Sequence, residues 1–116
     1  MSLINNVHEQ YHAHIYFDSS SADFSHQLRD QVRNTFGLAV GRFNERLVGP
    51  HTKWSFSISF SSKDFDALIP WLEKNRNGHS ILVHGVTGNE LKDHTDYAYW
   101  LGDSIELNLS IFSGNK

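Results

Sequence analysis

No cysteine occurs in the chain. That excludes disulfides and thiolate chemistry, and it suits a reducing cytoplasmic setting. Basic excess is also missing: ten Lys and Arg stand against thirteen Asp and Glu, a formal net charge of -3. This gives no electrostatic argument for nucleic acid or an anionic membrane as a partner. No apolar stretch approaches the ~20 residues of a membrane span. Residues 1–10 lack a basic start and an apolar run, so they read as a loose leader and not as a secretory signal. No internal repeat or linker appears, so a single domain over residues 1–116 is expected. With 39% hydrophobic and 13% aromatic residues the chain can bury one core. Eight histidines are present. Without cysteine, a metal site here would use imidazole and oxygen ligands, which suits iron, zinc or copper.

The stretch Tyr11-His12-Ala13-His14-Ile15-Tyr16-Phe17 reads as a β-strand with two unlike faces. Side chains alternate across a strand, so Ala13, Ile15 and Phe17 share a core face. His12, His14 and Tyr16 share the other. The two histidines stand roughly 6–7 Å apart at Cα, from about 3.3 Å of rise per residue. They are either solvated surface residues or a pair converging on one ion or substrate.

After a polar break at Asp18, Ser20 and Asp23 have capping-box spacing. Phe24, Leu28, Val32 and Phe36 then form an apolar helical stripe, stopped by Gly37. A second strand is expected over 38–47, with imperfect alternation. A Gly49-Pro50 turn follows. A third strand over 53–60 sets Trp54, Phe56, Ile58 and Phe60 against Lys53 and serines. Ser61 and Asp64 repeat the cap, and Phe65, Leu68, Ile69 and Leu72 fall at helical spacing, with Pro70 expected to kink or split that helix. Ile81, Leu82 and Val83 form a strand delivering His84 and Gly85. A polar loop over 86–92, a short helix over 97–101 closed by Gly102, and a half-buried strand over 105–111 complete the reading.

The order strand, helix, strand, strand, helix, strand predicts an α+β, ferredoxin-like fold with a C-terminal helix and strand added. Its helices should cover the Ala13, Ile15 and Phe17 face. The open face would carry His12, His14, Tyr16, Arg42 and Lys53. It is then wet, a ligand cleft, or covered by a second subunit in a dimeric α+β barrel. In this topology the end of the fourth strand lies beside the start of the first, which brings His84 to His12 and His14. Three imidazoles from two adjacent strands form a facial metal set. His94 is close enough in sequence to reach the same pocket. His51 starts at the wrong end, so either its loop folds inward or it serves another part of the pocket or a partner subunit.

Several stretches together carry a resemblance: residues 12–17, Val48-Gly49-Pro50-His51, Pro70-Trp71-Leu72, Ile81-Leu82-Val83-His84, Thr87-Gly88, and Asp93-His94-Thr95 through Trp100-Leu101-Gly102. In joint order and spacing they resemble the DOPA 4,5-dioxygenase family of small aromatic ring-cleaving dioxygenases, over roughly residues 11–102. The resemblance implies a ferredoxin-like subunit, usually dimeric, that cleaves a catechol extradiol with non-haem iron(II) and O2. It points to His12, His14, His51, His84 and His94 as site histidines. Gly85 stands where proline is expected, which would loosen the loop after His84.

The expected assignment has His12, His14 and His84 as metal ligands and His94 and His51 as acid/base or substrate contacts. Tyr16 is expected to orient substrate or only to pack, and Arg42 to pair with a substrate carboxylate or simply to be a solvated surface arginine. Asp18, Asp93 and Asp96 are the available carboxylates, but none shares the imidazole face, so an all-histidine set is preferred. Zinc or nickel can occupy such a site in place of iron. The partners expected are a small catechol and O2, with a homodimeric protein and neither nucleic acid nor membrane. The rival readings are a non-catalytic metal- or ligand-binding module and a plain dimerisation domain.

Overall fold

The computed structural model describes residues 5–113. In chain order these form β1 (Gln10–Phe17), α1 (Ala22–Phe36), β2 (Ala39–Val40), β3 (Trp54–Ser61), α2 (Ser62–Asn75), β4 (Ile81–Gly85), α3 (Glu90–Asp93), β5 (Ala98–Leu101) and α4 (Ser110–Ser113). The strands make one antiparallel sheet in the order β2-β3-β1-β4-β5. β1 is central, and its pleat sorts the molecule. Ala13, Ile15 and Phe17 join Phe56, Ile58, Ile81 and Val83 in a core closed by Leu28 and Val32 of α1 and Leu68 and Leu72 of α2. His12 and His14 point the other way, opposite Ser59 and Ser57 of β3 and His84 and Leu82 of β4.

Helix α1 carries the expected stripe, with Leu28 and Val32 buried and Phe24 and Phe36 partly buried. Gly37 ends it in the left-handed region at φ 67°, a conformation glycine takes without a Cβ clash. The cap differs from the Ser20 and Asp23 box. Ser21 is the N-cap without a side-chain bond, because Asp18 instead accepts hydrogen bonds from the backbone N–H and hydroxyl of both Ser20 and Ser21. At α2 the box forms as read: Ser61 Oγ accepts from Lys63 N, and Asp64 accepts back from Ser61 N. Pro70 does not split α2, which runs unbroken with Leu68, Ile69 and Leu72 buried around it. Packing on both sides of the proline offsets the one backbone bond it removes.

Three of the expected elements take a different form. The second strand is two residues long, not ten. Past Val40, Gly41 N still donates to Ser57 O, and Asn44 bridges to Ser55. Three residues on one side therefore span two on the other, which is a bulge. The bulge explains the imperfect alternation and turns Phe43 inward onto Phe17, 4.3 Å between ring centroids. The expected helix over 97–101 is the edge strand β5. Its pairing satisfies the free edge of β4, and its aromatic alternation suits a pleat: Tyr99 and Leu101 pair with Val83 and Ile81 of the core face, Trp100 with Leu82 of the other. A short helix forms further upstream, where Asn89 Oδ1 accepts from Lys92 N to open α3. The expected strand over 105–111 joins no sheet. Ile105, Leu107 and Leu109 are half-buried and alternate with exposed residues, but the segment lies against the 50–52 loop, with Asn108 N donating to Pro50 O and Thr52 Oγ1 to Glu106 O.

Before β1, Tyr11 Oη accepts from Val7 N and His8 N and donates to Asn6 Oδ1. Residues 5–9 of the expected leader are thus tied to the sheet, while residues 1–4 lie outside the described residues. The His8 ring packs over Gly85, where a Cβ would stand 2.8 Å from the imidazole. Gly85 is buried, and its N–H donates to Tyr97 O. The glycine does not loosen the chain after His84; it admits His8. Gly85→Pro should therefore lower stability by roughly 1–3 kcal/mol, through the lost sheet bond and the overlap with His8. Chemical denaturation would check this, and a variant as stable as the parent would contradict it.

Candidate metal centre

His12 and His14 come from β1, and His84 from β4 directly across from His12. Their ligand nitrogens all lie within 4.8 Å of one another. His14 Nε2 and His84 Nε2 are 3.0 Å apart. Two nitrogens each about 2.1 Å from one ion, at right angles, stand about 3.0 Å apart. His84 Nδ1 donates to Gly85 O at 2.8 Å. That bond assigns the ring's proton to Nδ1 and leaves Nε2 a lone pair aimed at His14. Without an ion, the contact needs a proton on His14 Nε2; a cation would replace that proton.

Burial keeps these rings neutral. Burial above all, helped by the surrounding imidazoles, holds His14 well below its ordinary value. Burial takes His84 down to about 4, against the opposing Gly85 hydrogen bond, and His51 to about 4, with His94 adding to it. His12 is lowered mainly by burial, next by His94, with Asp93 opposing. Neutral imidazole is the form that binds metal.

The 48–51 loop folds inward, one of the two routes open to His51. Its ring centroid is 4.1 Å from that of His14, and its Nδ1 is 2.7 Å from Tyr16 Oη. Burial pushes the Tyr16 phenol up, so the hydroxyl stays protonated and can donate to His51 Nδ1. Both residues are buried beside His14 and neither lines the cavity in front of it. Tyr16 is covered by Trp100, 5.9 Å between centroids. His94 does line that cavity. It caps α3, its Nδ1 donates to Glu90 O at 2.7 Å, and its ring lies 4.3 Å from His84. Arg42 is exposed beyond the end of β2 and is not brought to the cluster. Asp93 is buried at the cavity but accepts from Thr87 N and Thr87 Oγ1, which fastens the 87–93 turn. Asp18 is spent on the α1 cap. The three-residue ligand group contains no carboxylate.

The cavity measures about 340 Å³, with Pro50, Val86, Ile111 and Phe112 as apolar walls. Glu90 and Phe112 are wall residues that the sequence reading missed. Phe112 stacks on His94 at 4.9 Å, but it follows a series read as a sheet strand, so nothing pointed it at the histidines.

The model of the Dopa 4,5-dioxygenase family matches residues 11–111. The chain belongs to that family. It is 34% identical to a DOPA 4,5-dioxygenase of Amanita muscaria, over 94% of this chain and 52% of that protein. Identity is also 34% to an uncharacterised 21.2 kDa protein of Botryotinia fuckeliana, over 94% of this chain and 66% of the relative. The chain thus spans between half and two thirds of the length of these relatives. A crystal structure of a candidate dioxygenase from Nostoc punctiforme superposes with a TM-score of 0.88 at 36% identity, covering 93% of this chain and 94% of that one. Among the described residues no helix is long and apolar enough to cross a membrane.

The depressed histidines make the metal-free protein acid-sensitive. Unfolded, they take up protons near 6.5; folded, His51 and His84 resist until about 4. The stability this confers is fully present above pH 6.5 and is lost as pH falls toward 4. Melting of chelator-treated protein should show a lower Tm at about pH 4.5 than at about pH 7.5, and an unchanged Tm would contradict the burial argument.

Proposed function

We propose that this chain is an extradiol ring-cleaving dioxygenase that opens a catechol with O2 at a non-haem iron(II) held by His12, His14 and His84. The observation that carries the reading is the His14–His84 pair, two neutral imidazole nitrogens 3.0 Å apart at the floor of an apolar cavity, in a chain of a dioxygenase family. An iron(II) held by these three histidines would supply the Lewis-acid and redox chemistry that couples a catechol to O2. The remaining work falls to the chain. His94 faces the cavity with Nδ1 committed to Glu90 O, so its Nε2 is free to take a catechol proton and later return it. Tyr16 and His51 act from behind: Tyr16 fixes the His51 tautomer, and the His51 ring backs His14. Tyr16 is in this reading a support of the ligand and not a substrate contact. Pro50, Val86, Ile111 and Phe112 keep water off the reacting oxygens.

The strand order β2-β3-β1-β4 supports a ferredoxin-like reading with β5 as an added edge, and we place the protein in the cytoplasm on its lack of cysteine. The sheet face carrying Ser57 and Ser59 would pair with a second copy in a dimeric barrel; sedimentation at micromolar protein should give a dimer, and a monomer would remove that part of the proposal. Zinc or nickel can be found at the same ligands on purification. A non-catalytic metal-binding module is the alternative, and it shares every ligand. Anaerobic iron(II) loading followed by catechol and O2 separates the two: a yellow ring-fission product with matching oxygen uptake is expected, and iron binding without turnover would favour the module. His84→Ala should lose the metal. His94→Ala should keep it while turnover falls by roughly 10²–10⁴-fold. Metal lost in His94→Ala and kept in His84→Ala would overturn the assignment.

A further inference from the structure

His84 depends on the residue that follows it. Its Nδ1 donates to Gly85 O at 2.8 Å, and that bond leaves Nε2 facing His14. The acceptor carbonyl belongs to a glycine, which has no side chain to limit its own dihedrals. Its direction must therefore be set by neighbours. Gly85 N donates to Tyr97 O, which ties the preceding peptide to the residue before β5. Val86 N shares a peptide plane with Gly85 O and donates to Gln10 O at the start of β1. The His8 ring completes the enclosure. Its Cγ and Cδ2 would stand 2.8 Å from a Cβ on Gly85, so the imidazole fills the space a side chain would take.

His8 is itself held. Tyr11 Oη accepts from Val7 N and His8 N, and Ser62 N donates to Glu9 O. The ring stands edge-on to Tyr97 at 4.8 Å and to Tyr11 at 5.5 Å, with Nε2 3.3 Å from Tyr99 Oη. Gly85 pairs with Tyr11 across the sheet, so its missing side chain belongs to the Tyr11 face and not to the His84 face. His8 thus reaches the ligand through the backbone alone. It does not line the histidine cavity.

We propose that His8 is a positioning residue for His84: its ring, seated on Gly85, holds the carbonyl that orients the ligand and so sets the affinity of the cluster for metal. This rests on the ligand assignment made above and on none of the catechol chemistry. A group bonded directly to a ligating histidine is worth roughly 10–100-fold in metal affinity. His8 acts one contact further out, so its removal belongs at the lower end, about tenfold. The bonds that tie the segment to Tyr11 use backbone N–H groups, so they survive replacement of the side chain.

The test is zinc binding, measured by competition with a chelator in the parent, His8→Ala and His8→Phe. The ring-nitrogen NMR signals of His84 are recorded on the same proteins before zinc is added, and they report folding as well as the tautomer. His8→Ala should bind zinc about tenfold more weakly, with the Nδ1-protonated signature of His84 giving way to a mixture of tautomers. His8→Phe keeps a flat ring over Gly85. It should stay within about threefold of the parent and retain the Nδ1–H signature. Unchanged zinc affinity in His8→Ala would overturn the proposal. So would weakened binding with the His84 tautomer unmoved, or a His8→Phe variant as weak as His8→Ala. Each of those results leaves the ligand assignment standing, because the parent still binds zinc. A parent that binds no zinc would overturn both.

Discussion

Two imidazole nitrogens facing each other at 3.0 Å are a demanding arrangement. His84 Nδ1 is committed to Gly85 O, so the His84 lone pair points at His14, and something positive must lie between the rings. A proton on His14 meets that need at minimum; a metal ion meets it with three neutral ligands already turned inward. The rest of the fold maintains this contact. β1 and β4 are adjacent and antiparallel in a register that sets His84 opposite His12 and Leu82 opposite His14. The helices bury the opposite face, so a slip of one residue would exchange the core for the cluster. The hydrophobic energy of Ala13, Ile15, Ile81 and Val83 therefore fixes the histidine geometry as well.

Much of this was legible in the residues. The alternation of β1 and the apolar pattern of residues 81–83 are local signals, and the order of elements fixes which strands are neighbours. That is enough to bring His12, His14 and His84 together. Where the reading failed, the deciding partner was distant in sequence. Tyr97-Ala98-Tyr99-Trp100-Leu101 is too short to separate helix from strand by period alone, and the free edge of β4 settled it. Residues 105–109 do alternate half-buried and exposed side chains, but the alternation could not show that the segment would bond to a loop, Pro50 to Thr52, and not to a strand. The inward turn of His51 likewise depends on a tertiary bond to Tyr16.

Those non-sheet segments build the pocket. The 48–51 loop supplies Pro50 as a wall and His51 as a backing for His14. The 87–93 turn, fastened by Thr87 and Asp93, carries Glu90 and His94. The terminal turn α4 lays Phe112 on His94. A rigid sheet thus presents the three histidines, while loops set the size and polarity of the cavity in front of them. That division would let pocket chemistry vary without disturbing the histidine geometry.

The proposed chemistry depends on three imidazoles meeting one ion. X-ray absorption of anaerobically iron(II)-loaded protein tests this most directly, because outer-shell scattering from imidazole rings counts histidine ligands. About three imidazoles per iron are predicted, falling by one when His12 is replaced by alanine. A spectrum with one imidazole or none, or with a dominant carboxylate shell, would contradict it.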